Sequence, residues 1–393
     1  MMEWPTCALG ELCTITRGSS PRPIADSRYF DGGTISWIKI ADATKSGKFL
    51  YETKEHVNEF GASFSKRLPP GTLIVATSGT LGYTQILGVE GCAHDGWLIL
   101  QDLQELDRDY AYYALKTVSQ HFFNSAYGAA IQNINTEILR KTEIPYPPLP
   151  TQRRIASILS AYDELIENNQ RRIRILEDMA RSLYREWFVH YRYPGHESVP
   201  LVDSSLGQIP QGWEVKVVED ALKRIPSGKK YDQKTASPTG TVPIFDQGKS
   251  GIIGYHDDEP GVNATEDNPV IVFANHTCYQ RLIHFPFSAI QNVLPFAPNL
   301  SLPRNIYWLH WATNGLIAFN DYKGHWPEFI AKELVVPEPE ICKRFGEFAS
   351  PVMRKILQLE RAIENLRRTR DLLLPRLLSG QVALSTDTLP STA

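Results

Sequence analysis

Two stretches of the chain carry apolar residues at spacings that alternate four and three. The first runs Ile155, Leu159, Tyr162, Ile166, Asn169, Ile173, Leu176, Ala180, Leu183 and Trp187. The second runs Phe345, Ala349, Val352, Ile356, Leu359, Ile363, Leu366, Arg370, Leu373 and Leu377. That rhythm keeps one face inward over more than four heptads and predicts two long helices, each with an a/d seam. Pro150 and Thr151 mark the start of the first, and Pro375 is expected to kink or end the second. Matched seams in one chain are expected to pair with each other; the alternative buries each in a separate core. Asn169, polar within its seam, is expected to fix register at some cost in stability. Arg370 is expected to snorkel or to mark the end of its seam.

The chain repeats. Ile144-Pro145-Tyr146-Pro147 precedes the first helix, and Leu334-Val335-Val336-Pro337 precedes the second, at a shift of 190. The same shift lays Leu139 on Phe329, Ile173 on Ile363 and Leu183 on Leu373. Upstream, Trp4, Leu9 and Gly18 fall against Trp213, Val218 and Gly228 at shifts of 209 to 210. The order is domain, helix, domain, helix. At about 1.5 Å per residue, thirty-odd residues make a rod of roughly 50 Å. If the helices are antiparallel, each domain is expected at one end of a stiff spacer, as a reader of two half-sites on duplex DNA would need.

The domains read as mixed and β-rich. Strands are expected at 34–40, 72–76, 97–100, 242–245 and 269–274, with one helix at 109–120. Residues 190–212 read as a linker, and the Ser/Thr-rich end as frayed. The expected fold class is α+β, a pseudo-twofold repeat: domain 1–145, helix 146–190, linker and domain 191–335, helix 336–380, disordered tail 381–393.

The length, 393 residues, suits two or three domains, and 42% apolar with 22% charged residues is globular composition. The longest apolar runs have strand length, so no membrane span is expected. Five scattered cysteines without Cys-x-x-Cys, and no signal-peptide pattern, suggest a reduced cytoplasmic protein. The net charge is −3. Residues 1–150 carry 13 basic and 16 acidic groups and 188–337 carry 12 and 15, whereas the helices are net basic. This excludes binding by bulk positive charge. It leaves room for basic loops (Arg17, Arg22; Lys39, Lys45, Lys48; Lys223, Arg224, Lys229, Lys230) to form a positive face on each domain.

Catalytic patterns are missing. Gly248-Lys249-Ser250 lacks the preceding glycine of a phosphate-binding loop, since Pro243 stands there. His196-Glu197 lacks the second histidine of a zinc helix, and no nucleophile elbow occurs. The Pro-Pro pairs at 69–70 and 147–148 do not fit the amine-holding loop of amino-methyltransferases. Asp42, Glu52 and Lys54 only loosely follow a nuclease order. His94 and Asp95, adjacent on an expected strand, should point to opposite faces and serve structure.

Several segments together resemble the type I restriction–modification DNA specificity subunits (HsdS). They are Trp4…Leu9-Gly10-Glu11…Arg17-Gly18, Leu68-Pro69-Pro70-Gly71-Thr72-Leu73-Ile74…Ser78-Gly79-Thr80-Leu81-Gly82 and Ile144–Leu149 continuing through Pro150-Thr151-Gln152-Arg153-Arg154-Ile155-Ala156…Leu159. Pro210-Gln211-Gly212-Trp213, Ile244-Phe245-Asp246-Gln247-Gly248…Gly251-Ile252-Ile253-Gly254-Tyr255 and Leu374-Pro375-Arg376-Leu377-Leu378-Ser379-Gly380 extend the likeness to the second half. Thr151 departs from the acidic residue often found before Gln152, and the second helix start lacks that glutamine. The resemblance implies two target-recognition domains on an antiparallel coiled coil, each reading half of a split, asymmetric DNA sequence. It implies no catalysis and no cofactor on this chain. Two modification subunits (HsdM) would carry S-adenosylmethionine and methylate adenine N6, and restriction subunits (HsdR) would cut with ATP and Mg. A self-contained methyltransferase or nuclease, and a coiled-coil interaction protein without DNA binding, stay open as alternatives.

Donor geometry selects the candidate DNA contacts: Arg or Lys for guanine, Asn or Gln for adenine, Lys for phosphate. In the first domain these are Arg17, Arg22, Lys39, Lys45, Ser78, Tyr83, Gln132 and Asn133. In the second they are Lys229, Lys230, Gln247, Lys249, Tyr255, Asn275, His276, Gln280 and Lys323. Gly18 and Gly228 are expected to serve backbone turns.

Overall fold

Backbone pairing closes each half of the chain on itself just before its long helix begins. Thr6–Ala8 pairs antiparallel with Glu143–Pro145, in the register Thr6↔Pro145, Cys7↔Ile144, Ala8↔Glu143. Glu214–Val217 pairs antiparallel with Glu333–Val336, including Val215↔Val335, Lys216↔Leu334 and Val217↔Glu333. Each pair of the first ribbon maps onto one of the second when its upstream residue moves by 209 and its downstream residue by 190. A one-turn helix follows the upstream strand each time, Leu9–Leu12 and Val218–Ala221. Its first amide donates to Thr142 O (2.9 Å) in one half and to Lys332 O (2.8 Å) in the other. Both sequence shifts are therefore features of one repeated backbone lock.

The structure, a computed structural model, describes residues 4–77, 80–126, 133–248, 251–299, 305–319, 321 and 323–382, with side chains of 119–126 left aside. The chain divides into two compact units, Met1–Arg171 with Glu360–Ala393, and Arg172–Leu359.

In the first unit, the described residues form a five-stranded sheet in the order Thr14–Arg17, Trp97–Gln101, Leu73–Ala76, Thr84–Leu87, Phe49–Leu50. A four-stranded sheet runs Glu55–Val57, Ile35–Ile38, Gly91–Ala93, Lys66–Leu68. Ile35–Ile38, Leu73–Ala76 and Thr84–Leu87 are buried at every position, which explains the continuous apolar run of Leu73–Ala76. Helix Arg108–Ala126 places Tyr110, Tyr113 and Leu115 in the core with Ile15 and Leu98.

The second unit has a sheet ordered Leu222–Arg224, Val293–Pro298, Val270–Ala274, Gln280–Ile283. A second sheet is ordered Lys230–Tyr231, Ser288–Ile290, Val242–Phe245, Ile252–His256. Trp308, Phe287, Phe296, Phe329 and Phe345 are its largest fully buried side chains among the described residues.

The long helices span Leu149–Tyr184, continued by a wider turn at Arg185–Val189, and Pro339–Leu378. In the first unit the start of one packs on the end of the other: Ile155 and Leu159 share a core with Leu373, Leu374 and Leu377. In the second unit Ala180, Ile173 and Leu176 pack with Val352 and Ile356, and Leu183 joins Phe345 in the main core. The segments run antiparallel within each unit. Ile166, Leu359 and Ile363 are buried, and Leu366 is half-buried.

Three seam expectations change. Pro375 does not end the second helix, which continues to Leu378. Asn169 is half-buried and forms no hydrogen bond among the described residues, so it is not the polar contact of the seam. Arg370 is that contact. Its guanidinium is 15% exposed and meets the Asp163 carboxylate, 10% exposed, at 2.5 Å. Asp163 also accepts from the Tyr113 hydroxyl (2.5 Å), and Arg370 reaches Asp371 (2.8 Å). Burial opposes the Arg370 charge, but these carboxylates outweigh it and raise its pKa.

A second buried polar group sets the helix start. Gln152 is fully buried; its amide donates to the carbonyls of Pro147 (2.9 Å) and Glu105 (3.1 Å) and accepts from the Asp107 N–H (2.9 Å). Glu105 sits at φ 47°, a costly backbone conformation that this amide helps to hold. At the equivalent helix start stands Cys342, equally buried among apolar neighbours.

Removing one partner of a buried pair strands the other charge. Arg370→Met is expected to destabilise the protein by about 3–5 kcal/mol in urea unfolding. Asp163→Leu combined with Arg370→Met should recover most of that loss; a double variant as unstable as the single would contradict the pairing.

The pKa of His310, buried beside His284, is pushed down to about 4 by burial first and by that neighbour second. An unfolded histidine titrates near 6.5. The unfolded state therefore binds the extra proton first as pH falls, and stability present above 6.5 is lost toward 4. Stability of the second unit should drop by about 2 kcal/mol between pH 7.5 and 5, read by amide exchange in helix Ile306–Thr313. A flat profile would contradict it.

Candidate nucleic-acid interface

The strand ends of the first unit gather several candidate residues around one carboxylate. Arg17 closes Thr14–Arg17, and its Nε donates to Asp95 O at 2.7 Å. The Arg22 guanidinium pairs with the Asp95 carboxylate, which also accepts from Ser20 Oγ at 3.1 Å. Burial works against the Asp95 charge, but Ser20, Arg22 and His94 hold its pKa below the usual range. His94 and Asp95 do not lie on a strand. They follow Gly91–Ala93 in a turn, and His94 Nδ1 accepts from the Gly96 N–H at 2.7 Å. Burial lowers the His94 pKa, with Lys39 adding to the effect and Asp95 opposing it. Lys39 caps no helix with its side chain; its Nζ meets Glu55 at 2.5 Å. Gly18 does not sit at a positive φ. A Cβ there would meet His94 O at 2.2 Å, so its glycine serves close approach of two backbones.

Lys45 and Tyr83 lie elsewhere in this unit. Lys45 is exposed and makes no ion pair among the described residues. The Tyr83 hydroxyl donates to Ala43 O at 2.9 Å, and burial raises its pKa. Asn133 is exposed just before helix Thr136–Lys141. Ser78 and Gln132 lie outside the described residues.

In the second unit three distant loops converge. The His276 N–H donates to Gln247 Oε1 (2.8 Å), and His276 Nδ1 lies 2.9 Å from Lys323 O. Asn275 Oδ1 accepts from the Trp326 N–H at 2.7 Å, anchoring helix Trp326–Ile330. Lys323 is exposed and pairs with Asp321 at 3.4 Å. Arg281 joins this group: it donates to Gly248 O at 2.5 Å and lies over the Tyr279 ring at 4.7 Å. Nothing local in the sequence marked Arg281, which sits inside strand Gln280–Ile283.

Gln280 is turned inward, contrary to its selection as a loop donor. Its amide donates to His310 O (2.9 Å), and its oxygen accepts from Thr313 Oγ1 (3.1 Å). Asn275 is likewise committed to the fold. Tyr255 is half-buried within Ile252–His256, and Lys249 lies outside the described residues.

Lys229 and Lys230 form a separate group. Lys229 Nζ meets Asp258 at 2.7 Å and lies over the Tyr231 ring at 5.0 Å, and the Asp258 bond raises its pKa. Lys230 donates to the Ser227 hydroxyl; burial, then Arg224, lowers its pKa. Gly228, at φ 59°, is the turn glycine between them and Ser227.

The candidate cations are thus mostly paired: Arg22, Lys39, Lys229 and Lys323 each have a carboxylate within 4 Å. Among the described residues no group of three or more His, Cys, Asp or Glu is placed to hold a metal, and no helix is long and apolar enough to cross a membrane.

Residues 1–178 match the family described as the type I restriction modification DNA specificity domain. The type I restriction enzyme MjaIX specificity subunit of Methanocaldococcus jannaschii is 24% identical over 97% of this chain and 94% of its own length. The EcoR124I/EcoR124II specificity subunit of Escherichia coli is 26% identical over 37% of this chain and 36% of its own. The crystal structure of the type I restriction–modification S subunit from M. genitalium shares the fold, with a TM-score of 0.58, 18% identity and coverage of 98% and 97% of the two chains. The specificity-domain match covers residues 1–178, and similarity to a type I restriction enzyme specificity subunit runs through both halves of the chain.

Proposed function

We propose that this chain is the non-catalytic DNA reader of a type I restriction–modification complex, each unit reading one half of a split, asymmetric duplex target. The observation that carries this reading is the duplicated backbone lock, which launches a long helix from each of two β-rich units. A protein with two diverged copies of one plan is suited to two different half-sites, and helix length is then the variable on which their gap depends. The chemistry belongs to partners: two modification subunits that use S-adenosylmethionine to methylate adenine N6, and restriction subunits that cut with ATP and Mg.

Within the first unit, Arg17, Arg22 and Lys39 are the proposed contacts, and in the second Gln247, His276, Lys323, Lys229 and Lys230. Pairing of Arg22, Lys39, Lys229 and Lys323 with carboxylates weakens attraction to any duplex and leaves base-edge complementarity to select the target.

The reading is tested by footprinting the chain with its modification partner on a random-sequence library. A bipartite protected site, with affinity that falls steeply as salt rises, is expected. Sequence-independent protection, or affinity insensitive to salt, would contradict it. Asp95→Asn releases Arg22 from its carboxylate. Non-specific duplex affinity at low salt should rise several-fold, and the slope of log affinity against log salt should steepen by about one. An unchanged slope would show that Arg22 does not face phosphate.

A further inference from the structure

The first unit contains a half-enclosed cavity of about 340 Å³ where loop residues 44–48 meet the middle of the first long helix and the last third of the second. Five cations line it: Lys45, Lys48, Lys116, Arg367 and Arg370, against the carboxylates of Asp163 and Glu167. Some of this charge is committed to the fold. Lys48 Nζ holds Asp109 (2.6 Å) and Ser160 Oγ (2.6 Å), and Arg370 holds Asp163. Lys45 and Arg367 are exposed at the rim and form no ion pair among the described residues. Lys116 lies deeper; burial, then the Arg370 charge, lowers its pKa.

Gathering cations in a recess costs energy that the fold alone does not require. The repeat supplies the comparison. Moving by 190, Asp163 and Glu167 become Met353 and Leu357, while Arg367 and Arg370 become Glu177 and Ala180. The second half builds the equivalent helix segments with largely apolar packing around Ala180, Val352 and Ile356. The charged recess is an addition to the shared plan, not a part of it.

We propose that this cavity binds a small phosphate-bearing anion, of the class of pyrophosphate or the phosphate chain of a nucleotide, between Lys45, Lys116 and Arg367. Such an anion would neutralise cations from the 44–48 loop, helix Arg108–Ala126 and helix Pro339–Leu378 together, tying the first recognition domain to its spacer. A duplex phosphate offers the same chemistry, but a duplex is far wider than a half-enclosed recess of this volume, which favours the free anion.

The test is calorimetric titration of the full chain with pyrophosphate and, separately, ATP, each without added metal. Saturable one-site binding is expected, weakened at least tenfold in Lys45→Ala/Arg367→Ala. Lys141→Ala, a surface cation elsewhere in the unit, should bind as the parent does. Because Lys45 and Arg367 are exposed, the double variant should melt as the parent does without ligand and lose only the ligand-induced rise in Tm. Absence of saturable binding to both probes overturns the proposal, as does equal binding by the double variant. Displacement of bound pyrophosphate by a duplex of unrelated sequence would assign the cavity to DNA backbone and also overturn it. None of these outcomes bears on which bases the chain reads, so the specificity reading stands or falls separately.

Discussion

The structure depends on the strand pairing that closes each half before its long helix starts. A helix launched from a frayed end has no defined direction. Here the preceding strand is held by ladder bonds to the first strand of the same half, Ile144 against Cys7 and Leu334 against Lys216. The helix then begins within a few residues of a fixed backbone. In the first half Gln152 adds a buried amide that ties the helix to the 105–107 turn. In the second, Cys342 fills the same place with apolar packing. One plan is thus secured by two chemistries.

That difference continues along the helices. The first unit holds its helix segments with Arg370, Asp163 and Tyr113 as well as with Ile155, Leu159 and Leu374. The second relies on Ala180, Val352 and Ile356 beside an aromatic core. A buried ion pair adds little net stability over a packed apolar isostere, but it penalises mispairing heavily. The polar set therefore specifies geometry in the first unit, where the seam contains a cation that apolar packing alone would exclude.

Much of this was legible in the sequence, for identifiable reasons. The seams were readable because the four–three spacing needs only residue type. The ribbon was readable as two separate shifts, 209 and 190, because both its strands flank recognisable segments. The roles of Arg370 and Gln152 were not readable. Arg370 looks like a flaw until Asp163, 207 residues away, is placed beside it. The DNA candidates fared unevenly because donor type says nothing about orientation. Gln280 and Asn275 have the right groups but spend them inside, whereas Arg281, one residue on, projects toward the loop cluster. The net charge of −3 likewise hid its meaning: the loop cations are present, but Arg22, Lys39, Lys48 and Lys229 are each held by a neighbouring carboxylate.

The central claim is that two diverged copies of one plan read two different half-sites. Methylome sequencing of a host expressing this chain with the proposed modification subunit tests it most directly. The account predicts methylated adenines within a split motif, two dissimilar specified segments separated by a fixed run of unspecified bases. A single uninterrupted motif, or two identical half-sites, would contradict it.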